Sequence, residues 1–133
     1  MIARAGDIVA PVDWKLELVI VPVSDVDRAK AFYTDRAGFV VDNDVEPNDG
    51  IRFVQLTPPG SACSIAIGTG LTDKEPGSLD GLQLVVGDAD AARAELIERG
   101  IEVGEVQDYP WGRFIYFTDP DGNGWSAQQL PVE

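Results

Sequence analysis

A chain of 133 residues, 44% hydrophobic and 8% aromatic, carries enough apolar material for one domain with a core of its own. Its 10 basic residues against 23 acidic ones leave a net charge of −13, which disfavours nucleic acid, whose phosphates need Lys and Arg. With no histidine and a single cysteine, Cys63, the chain excludes Ser-His-Asp and Cys-His catalysis, His-ligated metals and internal disulfides.

Acid–base chemistry, if any, has to come from Asp, Glu, Tyr, Lys or water. The acidity favours solubility and attracts a cationic ligand. No apolar run approaches the roughly 18 residues of a membrane span. Met1 to Asp7 has no apolar signal-peptide segment, so the expected location is cytoplasmic, with no membrane partner. Cys63, between Ala62 and Ser64-Ile65, reads as a packed small hydrophobe.

Residues 1 to 13 read as an N-terminal arm broken by Pro11. Lys15 to Val23 is an apolar, β-rich run and predicts a strand, with Pro22 near its end. Ser24 or Asp25 then caps a helix whose apolar face is Val26, Ala29, Phe32 and Tyr33, and which stops by Gly38. Phe39-Val40-Val41 opens a short strand running into Asp42-Asn43-Asp44, and Glu46 to Gly50 reads as a loop. Ile51–Leu56 and Ala62–Ile67 are strands either side of the turn Thr57-Pro58-Pro59-Gly60-Ser61. Gly- and Pro-containing residues up to Asp80 form a linker.

The pattern then begins again. Gly81 to Val86 is a strand, and Asp88 caps a helix with Ala89, Ala92, Leu96 and Ile97 on its apolar face. Gly100 closes that helix, and Ile101-Glu102-Val103 reads as a short strand. Val23, Asp25 and Asp27 correspond to Val86, Asp88 and Asp90 at a constant offset, an internal repeat. Arg113 to Phe117 and Trp125 to Leu130 close the second half around the turn Asp119-Pro120-Asp121-Gly122-Asn123. Pro, Asp, Gly and Asn each have a backbone reason to stand in that turn. The expected fold is α+β: two paired βαβββ modules forming a cup-shaped mixed sheet, with one helix behind each half. The modules are expected over 14–70 and 81–130, joined by a linker over 71–80.

Val23-Ser24-Asp25-Val26-Asp27-Arg28, Ala31-Phe32-Tyr33, Gly38-Phe39, Thr57 to Ser61 and Asp119 to Trp125 occur in this order from Lys15 to Leu130. In this the chain resembles the vicinal oxygen chelate superfamily of glyoxalase I, extradiol dioxygenases and bleomycin-resistance proteins. The resemblance implies paired βαβββ units, and a homodimer whose clefts both chains can complete. In the superfamily's metalloenzymes, first-strand and late-strand positions supply His, Glu or Gln ligands. Carried over by position, these fall on Leu18, Gly81, Ser126 and a residue among Ser64 to Ala66. Leu and Gly have no side-chain donor, and a Ser hydroxyl is a poor one. The expectation is therefore no family-type metal and no cofactor.

Strand alternation predicts a largely apolar cleft with a few amides and hydroxyls. Its candidate ligand-binding residues are Leu18, Gln55, Gln83, Trp111, Arg113, Tyr116, Trp125, Ser126 and Gln128, with Tyr109 in the same aromatic group. The aromatics suit stacking on an aromatic or cationic ligand. Arg52 and Arg113 either hold a ligand carboxylate or phenolate, or sit in surface ion pairs. Asp42, Asp44 and Asp108 are candidates for a general base near the cleft mouth. Catalytic residues are not assigned. Three functions follow: a metal-independent small-molecule-binding protein of the bleomycin-resistance type; a metal-free lyase, isomerase or cyclase on a secondary metabolite; and a metal-dependent glyoxalase or dioxygenase, against which the missing ligands count.

Overall fold

A computed structural model describes residues 12–131, so the arm predicted over 1–13 lies almost wholly outside the described residues. The elements in order are β1 (Leu18–Ile20), α1 (Val26–Ala31), β2 (Val40–Asn48), β3 (Ile51–Thr57) and β4 (Ser64–Thr69). They are followed by β5 (Leu82–Val85), α2 (Ala89–Glu98), β6 (Gln107–Tyr109), β7 (Gly112–Thr118) and β8 (Gly124–Gln129). They build two four-stranded sheets of the same order, β1-β4-β3-β2 and β5-β8-β7-β6. In each sheet the first strand runs parallel to the last, and the other pairs are antiparallel. The fold is α+β, with two βαβββ modules. Among the described residues no helix is long and apolar enough to cross a membrane.

Local chemistry explains the repeat. Asp25 Oδ1 accepts from the Arg28 N–H at 3.0 Å, and Asp88 Oδ1 accepts from the Ala91 N–H at 3.0 Å, so the same cap starts each helix. A π-helical turn, Phe32–Arg36, continues α1 until Gly38 leaves it at φ +81°, a conformation that suits glycine. A further correspondence joins the modules. Arg52 on β3 reaches Asp27 of α1 at 2.7 Å and Asp44 of β2 at 2.9 Å. Arg113 on β7 reaches Asp90 of α2 and Asp108 of β6, both at 2.7 Å. In both halves one guanidinium ties the helix to the outer hairpin.

The Arg52 guanidinium, then the Lys30 ammonium, hold the Asp44 carboxyl well below the ordinary carboxylate range. A depressed acid stabilises the fold above its unfolded pKa and loses that contribution as pH falls below about 4. Because the network is solvent-facing, Arg52→Met is expected to cost about 0.2–1 kcal/mol at neutral pH. Urea midpoints should show the wild-type and variant curves converging as the pH is lowered through that range. A gap that persists or widens on acidification would contradict this account.

Two expectations differ in the kind of element formed. Residues 46–48, read as loop, continue β2, which turns at Asp49-Gly50 so that Asn48 faces Ile51. Pro47 is tolerated because β2 is an edge strand and the register shifts there. Residues 101–103, read as a strand, have no strand partner; Ile101 and Val103 are buried as loop side chains, and the edge strand forms later, at β6.

The two sheets share no hydrogen-bonded strand pair. Their helix-side faces meet instead in one core that joins Tyr33, Phe39, Leu56 and Ile67 to Ile115, Phe117 and Trp125. The turn Asp119–Asn123 clasps the modules at the edge of this core. Asp119 Oδ2 accepts from the Tyr33 hydroxyl and from Asn123 Nδ2, each at 2.8 Å. Its Oδ1 accepts from the backbone N–H of Asn123 at 2.9 Å and of Asp121 at 3.0 Å. Asn123 Nδ2 also donates to Pro22 O at 2.8 Å, and its Oδ1 accepts from Leu79 N–H at 3.0 Å. Asp121 accepts from the Ser24 hydroxyl at 2.6 Å and from Arg28 at 3.2 Å. The linker closes so tightly on this turn that a Cβ at Gly77, itself at φ +81°, would stand 2.1 Å from Asp121 O.

Burial first, and then Asp119, push the Tyr33 phenol far above its ordinary value of 10.0. A raised pKa contributes stability fully below the unfolded value and loses it as pH rises beyond it. Tyr33→Phe is expected to cost about 1–3 kcal/mol at neutral pH, since Asp119 loses a donor and Trp125 an acceptor. The difference between variant and wild type should shrink above pH 10, read from chemical denaturation. An unchanged difference would show that Tyr33 does not govern alkaline stability.

Candidate functional site

The faces turned away from the helices carry the candidate site. On β3, Val54 and Leu56 lie in the core and Arg52 pairs with α1, so Phe53, Gln55 and Thr57 occupy the other, open face. Register places Leu18 beside Ser64, Ile20 beside Ala66, and Asn43 opposite Gln55 on the same face. On β7, Ile115 and Phe117 point to the core, leaving Phe114 and Tyr116 on the open face of the second sheet. There Tyr116 faces Ser126, which faces Gln83, and Phe114 faces Gln128.

An aromatic strip runs along that second open face. The Tyr109 and Trp111 rings stack at 5.0 Å and 5°. Tyr109 meets Phe114 edge-on at 5.7 Å, and Phe114 lies over Tyr116 at 6.2 Å and 11°. Trp111 is 60% exposed and Tyr116 47%. Burial, then Tyr109, raise the pKa of the Tyr116 phenol above its ordinary value. Beside the strip, three polar side chains orient one another. Gln83 Nε2 donates to Gln128 Oε1 at 2.9 Å, Ser126 Oγ donates to Gln83 Oε1 at 3.3 Å, and Gln128 Nε2 donates to Trp111 O at 3.0 Å. Such a surface offers stacking area and fixed amide dipoles, with no charge on it.

Of the predicted site residues, Gln83, Trp111, Tyr116, Ser126 and Gln128 come together here. Leu18 and Gln55 lie on the open face of the first sheet, where Gln55 Nε2 donates to Ser64 Oγ at 3.2 Å. The two groups stand on separate sheets. Arg113 and Trp125 lie on neither open face. Arg113 is held on the helix side by Asp90 and Asp108, which raise its pKa further. Trp125 is 5% exposed in the core and donates from Nε1 to Tyr33 Oη at 2.9 Å. The ion-pair alternative holds for both Arg52 and Arg113. Of the three candidate bases, Asp44 and Asp108 are bound in those pairs, and only Asp42 reaches an open face, accepting from Thr57 Oγ1. Phe114 and Thr57 were missing from the predicted set, although alternation from Tyr116 and Gln55 places both.

A cavity of about 320 Å³ lies on the opposite, helix side, lined by Leu84, Ala92, Leu96, Ile115 and Ala127 among others. By the repeat offset, half-buried Leu96 stands where the first module buries the whole of Tyr33.

The family model of the Glyoxalase/Bleomycin resistance protein/Dioxygenase superfamily matches residues 15–127. The chain belongs to that superfamily. Within it, the chain is similar to the crystal structure of TnmS3, an antibiotic binding protein from Streptomyces sp. CB03234. The two are 38% identical with a TM-score of 0.83, over 92% of this chain and 100% of that one. A glyoxalase/bleomycin resistance protein from Streptomyces sp. CB03234 is 40% identical with a TM-score of 0.76, over 86% of this chain and 100% of that one. YwkD of Bacillus subtilis (strain 168) is 32% identical over 118 residues, covering 83% of this chain and 87% of its own.

Of the four positions carried over from the superfamily's metalloenzymes, register now chooses the one left open among Ser64 to Ala66. Ser126 faces Tyr116 on β7; the equivalent pairing in the first module is Ala66 facing Gln55 on β3. The four are therefore Leu18, Ala66, Gly81 and Ser126. One hydroxyl among two alkyl side chains and a glycine does not fit a divalent ion, which needs several imidazole, thiolate or carboxylate donors.

Proposed function

We propose that this protein is a metal-independent binding protein for an apolar, aromatic small molecule, held in a cup that two copies of the chain build together. The observation that carries this reading is the aromatic strip of exposed Trp111, Tyr109 and Tyr116 around buried Phe114, beside the oriented amides of Gln83 and Gln128. Stacked rings with, among the described residues, no paired acid and base beside them and the Ser126 hydroxyl donating to Gln83 suit holding a flat ligand rather than converting it. The similarity to an antibiotic binding protein of Streptomyces supports the same reading.

The second copy is argued from edges and faces. β1 and β5 each end a sheet, with one edge unpaired among the described residues. The open faces leave Ile20, Val45, Val85, Trp111 and Tyr116 from 38% to 69% exposed. Pairing β1 of one copy with β5 of another would cover both edges and set the two open faces around one ligand. The unpaired thiol of Cys63 agrees with a cytoplasmic setting.

The test is equilibrium binding of a panel of fused-ring aromatic antibiotics, followed by tryptophan fluorescence. Mass spectrometry of the recovered ligand, metal analysis of the purified protein and sedimentation accompany it. The expected results are tight binding of at least one compound, recovered unchanged, by a metal-free dimer. Conversion of the compound would favour a lyase, isomerase or cyclase. Stoichiometric iron, zinc or nickel would return the metalloenzyme reading, and a monomer that binds equally well would overturn the shared cup.

A further inference from the structure

The first sheet's open face holds a chain of hydrogen bonds that runs in one direction. A register shift between Val41 and Asn43 throws Asp42 out of the β2 ladder, and its carboxylate accepts from Thr57 Oγ1. Thr57 Oγ1 lies 2.6 Å from Ser64 Oγ. Gln55 Nε2 donates to Ser64 Oγ at 3.2 Å, and Asn43 Nδ2 donates to Gln55 Oε1 at 3.4 Å. An ionised carboxylate has no proton to give, so the Thr57 hydroxyl must donate to Asp42. Thr57 has then spent its only proton, and the bond to Ser64 is donated by Ser64. Every hydroxyl proton in the chain therefore points towards Asp42, and neither hydroxyl has a donor left for a ligand.

What remains at the end of the chain is an acceptor. Among the described residues no side chain donates to the other carboxylate oxygen of Asp42, and no Lys or Arg pairs with it. The neighbouring acid Asp44 is taken up by Arg52 and Lys30, and the corresponding acid of the second module, Asp108, by Arg113. We infer that Asp42 is the acceptor that selects a hydrogen-bond donor on the ligand, a phenolic O–H or an ammonium. An acceptor-only group at that point would set two lone pairs face to face, at the cost of an unpaired polar contact. The inference rests on the reading that the ligand lies against the open faces.

Three probes on one ring system test it: 2-naphthol, 2-naphthylmethylamine (an ammonium at neutral pH) and 2-methoxynaphthalene. Binding is followed by the shift of the Trp111 indole resonance. A donor probe is expected to bind about tenfold or more tightly than the methoxy compound, the ratio a charge-assisted hydrogen bond supplies. Asp42→Ala, at an exposed position, should fold normally and reduce that preference to about twofold or less, with the methoxy compound bound no more weakly than by the wild type. Salt separates the two sources, because an ammonium preference fades with ionic strength and a phenol preference persists. Equal binding of all three probes by the wild type, or a preference that survives Asp42→Ala, overturns the role of Asp42 while leaving the aromatic site standing. Failure of all three to shift Trp111 overturns the site itself, and the inference with it.

Discussion

Replacing Asp119 by alanine is expected to lower stability by about 3–5 kcal/mol, the range for removing one partner of a buried charged network. The carboxylate is 4% exposed and accepts four hydrogen bonds: from Tyr33, from the Asn123 side chain, and from the backbones of Asp121 and Asn123. Alanine would leave the Tyr33 hydroxyl and the Asn123 backbone N–H buried without that acceptor. It would also free the turn that holds Pro22 through Asn123. Against a typical total of about 5–15 kcal/mol, that is enough to bring the native state close to unfolding. Urea denaturation at neutral pH measures it, with Asn123→Ala as a second variant in the same clasp. Losses below about 1 kcal/mol in both would show that the turn is local hairpin chemistry with no part in joining the modules.

Trp111→Ala is expected to act in the opposite way, on binding and hardly on stability. Its indole is 60% exposed and stacks on Tyr109, so its removal should leave the unfolding free energy within about 0.5 kcal/mol of wild type. A ligand that stacks there would lose an aromatic anchor, and anchors of this kind carry about 2 kcal/mol or more, roughly a thirtyfold weakening. Titration of an aromatic antibiotic found by the panel gives the number. Gln128→Leu offers a related variant, since it removes the donor to Trp111 O without touching a ring. Wild-type affinity in Trp111→Ala would move the ligand away from the strip and remove the main support for the proposed function.

The contrast between these variants shows how unevenly the site could be read in advance. Asp88 was legible as a cap, and the first cap was narrowed to Ser24 or Asp25, because a cap is a matter of three or four neighbouring residues. That Leu18 and Gly81 offer no side-chain donor was legible because neither residue has such an atom in any conformation. Arg113 and Trp125 were not legible as helix-side residues from their identities alone. A strand arginine suits a ligand carboxylate as well as two aspartates, and an indole suits a cleft as well as a core. Partners 23 positions away for Arg113 and 92 away for Trp125 decide each case. Pro47 misled in another way: proline argues for a loop unless its strand happens to lie at an edge, and edge position is a property of the sheet.

From its residues alone, then, this chain determined the repeated module, the helix starts, the turn at Asp119–Asn123 and the absence of any histidine. All of these follow from short-range backbone preference or from which atoms a side chain contains. Only the tertiary structure decided that the helix-side faces of the two sheets meet, that the turn clasps Tyr33 and Pro22, and that the aromatic strip and Asp42 stand on faces left open. Alternation along a strand says which residues share a face. Which face is covered depends on contacts made across the whole length of the chain.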